Sequence, residues 1–93
     1  MPSNPTWMLD NAWWHSESKA LRRKINTLPY DTKREMTLLL EVCEDQAMAI
    51  WREEITCRYQ HKQTEKHKKL MQKFRETHSN LEQHVVMAML MRP

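Results

Sequence analysis

Apolar residues recur at helical steps in two long stretches of this chain. In the first, Trp14, Leu21, Ile25 and Leu28 follow at steps of seven, four and three. In the second, Met36, Leu39, Leu40, Cys43, Ala47 and Ile50 recur mostly at steps of three and four. Both spacings place the apolar side chains on one face of an amphipathic helix. Asn4 can cap the first helix and Pro5 suits its first position, so helix one is expected over about 5–28. Its opposite face carries His15, Lys19, Arg22 and Arg23. Pro29 disfavours helical geometry at Leu28, and Asp31 favours a turn. Residues 29–31 then form a tight reversal that makes helices one and two antiparallel neighbours.

Helix two is predicted from about Thr32 to 60 or beyond. Thr32 and Glu35 have the spacing of a capping box, in which hydroxyl and carboxylate satisfy free amides at a helix start. Nothing before Pro93 must break this helix. A softer boundary lies at Ser79, where Ser79-Asn80-Leu81-Glu82 repeats the capping-box spacing ahead of an apolar run, so a separate helix over about 80–91 is the alternative. The stretch between, Tyr59 to His78, is polar and has Leu70, Met71 and Phe74 as its apolar anchors. It is compatible with helix or linker. The expected fold is all-α: an antiparallel hairpin within a single helical domain over 1–93, with a third helix or a helical extension at its C-terminus.

The chain has 93 residues, and 40% are hydrophobic. That is too apolar for a disordered composition but leaves a small core, and small domains often need disulfides, metals or oligomerisation. The two cysteines, Cys43 and Cys57, are about 21 Å apart along one helix, beyond disulfide reach. Without that staple a homodimer is expected. Unbridged cysteines also fit a reduced, intracellular setting. No basic start followed by an apolar run marks a signal peptide, and the run from Val85 to Met91 is too short to span a bilayer. Glycine is absent and methionine occurs eight times, a bias that a gene overlapping another frame would show.

The net charge of +3 conceals a segregated distribution. From Glu35 to Glu54 the acids outnumber a single base, Arg52. From Arg58 to Arg75 the bases Arg58, Lys62, Lys66, Lys68, Lys69, Lys73 and Arg75 face a single acid, Glu65. Such blocks fit either an anionic partner or charge pairing between antiparallel helices. On one continuous helix Arg58, Lys62, Lys66, Lys69 and Lys73 would make a basic stripe roughly 22 Å long, suited to tracking phosphates. Few aromatics interleave with it, so stacking on single-stranded bases is not suggested. Arg34 and Arg52 are five whole helical turns apart and point the same way, roughly 27 Å from one another. A reader of double-stranded RNA needs basic groups on one side, because it recognises duplex shape through phosphates and 2′-hydroxyls. Two solvated arginines on an exposed face are the plainer alternative.

Enzyme chemistry finds little support. There is no glycine-rich phosphate loop and no His-Glu-x-x-His. No Cys-x-x-Cys is present, and the five histidines do not pair at i, i+4. Neither catalysis nor a cofactor nor a metal is expected. Cys43, on the apolar seam, reads as core.

The segment from Leu28 to Tyr59 resembles the RNA-silencing suppressor of nodaviruses, a small protein encoded on the viral polymerase segment. The residues that carry the resemblance are the polar turn Pro29 to Asp31, then Lys33-Arg34-Glu35-Met36, then Glu41-Val42-Cys43 and Ile50-Trp51-Arg52 in ungapped register. The opening Met1-Pro2-Ser3 is also similar to one member. The match covers about a third of the chain and rests on spacing and residue type.

The resemblance implies an antiparallel homodimer, a four-helix bundle, lying along one face of A-form RNA in the host cell cytoplasm. There it would bind duplexes without regard to sequence, shielding them from Dicer and from loading. It places the family's essential arginine at Arg52 and a second RNA-contacting base at Arg34. Lys33, Arg58 and Lys62 are secondary candidates among this chain's other basic residues. Met36, Leu40, Cys43, Ala47 and Ile50 would form the bundle seam. Host Dicer is a candidate further partner. Glu41 and Asp45 lie near the Arg34–Arg52 line and repel phosphate, and the chain after Tyr59 departs from the family pattern. The competing expectation is a coiled-coil scaffold or adaptor that binds protein only.

Overall fold

The computed structural model describes residues 6–91, and these form three helices and no strand. Helix α1 spans Asn11–Asn26, α2 spans Tyr30–Gln60 and α3 spans Glu65–Leu90. They pack side by side into a rod of 52 × 25 × 16 Å. Short connections at 27–29 and 61–64 reverse the chain, so each helix runs antiparallel to the one before it. No helix among the described residues is long and apolar enough to cross a membrane.

Each helix buries a seam with the 3.5-residue spacing of a coiled coil. On α2 the seam is Met36, Leu40, Cys43, Ala47, Ile50, Glu54 and Cys57, at alternating steps of four and three. On α3 it is His67, Met71, Phe74, Leu81 and Val85, with half-buried His78 and Ala88 in the same register. On α1 it is Trp14, Leu21 and Ile25, continued by Leu28 beyond the helix end. One cluster holds these apolar side chains together, so the stripe Met36, Leu40, Cys43, Ala47 and Ile50 is covered within a single chain. The sequence expectation left this stripe for a second copy. The long α3 covers it instead.

The helix boundaries correct several expectations. Helix one begins at Asn11, not near residue 5, because the Asp10 carboxylate caps it by accepting from the Ala12 and Trp13 amides at 3.0 and 3.2 Å. Asn4 and Pro5, proposed as its cap and first residue, and Met1-Pro2-Ser3 lie outside the described residues. Thr32 does not cap helix two: the helix starts at Tyr30 after Pro29, without a side-chain cap. The Pro29 carbonyl already accepts from the Lys33 amide at 2.7 Å, so Tyr30 and Asp31, expected in the turn, belong to the first turn of α2. Nor does Ser79 open a helix. It lies inside α3, where Thr77 Oγ1 back-bonds to the Lys73 carbonyl at 2.9 Å. The seam runs through Ser79 without a change of register, and that packing overrides the local capping signal.

The break that sequence left open falls at 61–64. His61 adopts a left-handed conformation (φ 56°, ψ 32°), and its amide donates back into the last turn of α2. That position favours glycine, which this chain lacks. Thr64 then caps α3, its hydroxyl accepting from the His67 amide at 3.1 Å. The basic stripe from Arg58 to Lys73 is therefore not one helical line. Arg58 ends α2, Lys62 sits in the reversal, and Lys66, Lys69 and Lys73 run back along α3.

Candidate nucleic-acid interface

The line of α2 opposite its seam is its outer ridge. Arg34, Leu38, Glu41, Asp45, Met48, Arg52, Ile55 and Tyr59 follow it at alternating steps of four and three, and all eight are exposed. A 3.5-residue seam on one side of a helix leaves a parallel line of the same period on the other. Arg34 and Arg52 thus share a solvent-facing ridge about 27 Å apart. Neither joins an ion pair among the described residues. Glu41 and Asp45 stand between them and place negative charge at the centre of the ridge. Leu38, Met48, Ile55 and Tyr59 add apolar surface, with Ile55 71% and Tyr59 87% exposed.

The basic residues named beside the two arginines are spread more widely. Lys33 is half-buried on the flank of the first turn of α2. Arg58 and Lys62 are exposed at the opposite end of the rod, where Lys66, Lys68 and Lys69 begin α3. Two of these lysines are partly neutralised, with Lys66 4.0 Å from Glu53 and Lys68 3.1 Å from Glu65. The exposed Lys68–Glu65 pair contributes about 0–1 kcal/mol, and both ammonium groups stay accessible. The structure therefore separates two basic groups: the ridge arginines, and a basic end built from the α2–α3 reversal. On α1, Arg22 is drawn into a pair with Glu44 of α2, so part of the early basic cluster pairs within the molecule.

Behind the basic end lies a buried polar network that the apolar pattern did not reveal. Glu54 and His67 occupy seam positions and are buried. The two nitrogens of the His67 ring meet Glu54 Oε2 at 3.0 Å and the Gln63 side-chain amide at 2.9 Å. Glu54 Oε2 also accepts from the Leu9 amide at 2.8 Å. Trp7 sets its ring edge-to-face against His67 at 5.1 Å. This network fastens the segment before α1 to the α2–α3 reversal. Alongside it the Thr64 hydroxyl donates to Glu53 Oε2 at 2.6 Å. A hollow of about 450 Å³ opens between this segment and α2, lined by Leu9, Asp10, Glu54 and Arg58 among others. A signal was present in the sequence: Glu54 falls in step with Ala47 and Ile50, where an acid needs a partner.

Cys43 is fully buried at the seam, and burial, with a smaller push from the Glu44 carboxylate, raises its thiol from 9.0 to about 12. Burial thus holds the thiol in its neutral form, as expected of a packed core cysteine. Cys57 is buried as well, 3.6 Å from the Thr64 hydroxyl. Among the described residues the group with metal-ligand spacing is Glu17, His78 and Glu82, between α1 and α3.

Fold and surface together define an all-helical, three-helix protein with a sealed coiled-coil core, an open ridge on its longest helix and a basic end. No family model, curated protein or solved structure matches the chain.

Proposed function

We propose that this chain binds double-stranded RNA without sequence specificity and acts as a viral suppressor of host RNA interference, shielding duplexes from Dicer cleavage and from loading. The observation that carries the reading is the pair Arg34 and Arg52: exposed, unpaired among the described residues and five turns apart on one ridge. A-form RNA offers phosphates and 2′-hydroxyls at recurring intervals along one side, which a rigid helix with spaced basic groups can follow. Arg58 and Lys62 extend the contact toward the basic end, and Lys33 toward the other. The acids Glu41 and Asp45 on the same ridge oppose it, since carboxylates repel phosphate.

In this reading the working unit is a homodimer, because one ridge presents two arginines and a pair of ridges presents four. A homodimeric four-helix bundle built on the α1–α2 hairpins needs the seam Met36, Leu40, Cys43, Ala47 and Ile50. Dimerisation then requires α3 to yield that seam to the partner copy.

A second reading, a scaffold that binds protein only, is favoured by the apolar side chains on the same ridge. Laid antiparallel against a second copy about its midpoint, the ridge complements itself: Leu38 faces Ile55, and Glu41 faces Arg52. The two readings compete for one surface, so substitutions there separate them. Arg52→Gln keeps helix propensity and side-chain length while removing the charge and the forked donor. Under the RNA reading it leaves the melting temperature unchanged within a few degrees and weakens duplex-RNA binding more than tenfold. Adding Glu41→Arg to Arg52→Glu is the sharper test. It restores self-association under the scaffold reading, since the pair is only swapped. Unchanged RNA affinity in folded Arg52→Gln would remove Arg52 from the contact and move that contact to the basic end around Arg58 and Lys62.

A further inference from the structure

We propose that Glu17, His78 and Glu82 bind one divalent transition-metal ion of the zinc class, clamped between α1 and α3. His78 and Glu82 are four residues apart on α3 and so project from one face. Glu17 reaches them from α1. His78 Nε2 lies 3.0 Å from Glu82 Oε1 and 3.6 Å from Glu17 Oε1, and all three ligand atoms lie within 4.8 Å of one another. Ligands bonded to one zinc at about 2.0–2.2 Å in tetrahedral geometry sit about 3.3–3.5 Å apart, so small side-chain adjustments admit the ion.

The second observation is the state of Nε2 itself. It is buried and makes no hydrogen bond of good geometry, although two carboxylates stand within ion-pair distance. The distances are those of an ion pair, and the directions are not those of a hydrogen bond. Direction decides here, because a ring N–H is effective only along its axis. A metal ion among the three groups satisfies the nitrogen lone pair and both carboxylates at once.

The ring is also held. Phe74 lies parallel to it at 6.1 Å, and Trp13 and Trp14 meet it edge-on at 5.4 and 6.0 Å. Such an apolar wall fixes a ligating ring and limits water at the site. One imidazole and two carboxylates suit zinc, cobalt or nickel. Three ligands with a nitrogen among them are too few and too soft for calcium or magnesium. The sequence pattern missed the group because its ligands are one histidine and two glutamates on different helices, without any zinc spacing motif.

The competing account is a protonated His78 paired with two carboxylates and needing no ion. Titrating the full chain with cobalt(II) separates them, because Trp13 and Trp14 lie close enough for bound cobalt to quench their fluorescence. Saturable quenching at one ion per chain, reversed by zinc and not by magnesium, is expected, together with a rise of several degrees in melting temperature with zinc. Glu82→Gln, at an exposed position, keeps the metal-free melting temperature and weakens cobalt binding at least tenfold. His78→Gln abolishes the saturable phase. No saturable quenching up to about 1 mM metal overturns the site, and so does quenching that survives both substitutions, which would assign it to surface histidines elsewhere.

Discussion

His61 shows how a single residue fixes the architecture of this chain. Its left-handed backbone ends α2 and turns the chain into the reversal that precedes α3. A side chain with a Cβ is strained there by roughly 1 kcal/mol, though histidine tolerates the region better than most residues. His61→Asn, which keeps a polar side chain and enters this region more readily, should raise the melting temperature by a few degrees. Thermal unfolding followed by circular dichroism measures it, and a lower melting temperature would show that the imidazole stabilises the reversal in some other way. At the same scale, Glu54 and His67 are charged or polar residues placed where the seam calls for apolar ones. They remain there because each satisfies the other and Glu54 also accepts from the Leu9 amide, since a buried polar group must be satisfied.

At the scale of the element, α2 presents two lines of one period with opposite roles. Its inner line is core, and its outer ridge is surface, although leucine and isoleucine occur on both. Leu40 and Leu38 make the contrast measurable. Leu40 is 1% exposed, so Leu40→Ala should cost about 2–5 kcal/mol, and Leu40→Asp should unfold the chain, since it buries an unpaired charge. Leu38 is 56% exposed, so Leu38→Ala should change stability by no more than about 0.5 kcal/mol. Urea denaturation of the three variants tests the assignment of faces. Comparable losses for the two alanine variants would mean that the ridge is also buried in solution, against a second copy. The period that specifies the seam was visible in sequence. Its continuation beyond Ile50 was harder to see, because the next seam position holds the acid Glu54.

For the whole molecule, the distribution of charge matters more than its sum. The reversal at 61–64 gathers Arg58, Lys62, Lys66 and Lys69 at one end of a 52 Å rod, and the ridge carries Arg34 and Arg52 along its side. Binding through about six phosphate contacts should weaken on the order of a thousandfold between 50 and 200 mM salt. A duplex-RNA titration over that range, repeated with a DNA duplex, measures it. Equal affinity for the two duplexes would count against recognition of A-form shape, and a flat salt profile would favour a protein partner. Sedimentation of the same sample reads the working unit: about twice 11.4 kDa for the proposed homodimer. A single-chain mass with RNA binding intact would leave the reader and remove the dimer.

The sequence by itself determined that this protein is helical, that its first reversal includes Pro29, and that apolar stripes on its first two helices carry much of the core. Those properties follow from local rules: the 3.5-residue recurrence of apolar side chains, and proline at position 29. Only the tertiary structure decided what covers the seam of α2. Whether α3 folds back on its own chain or leaves that seam to a partner depends on the turn at His61, a left-handed conformation without glycine to announce it. It depends equally on the partners of Glu54 and His67, which are distant in sequence and polar in character. The same cause hid the meeting of Glu17 with His78, because a contact between helices is set by their packing and leaves no period in either one.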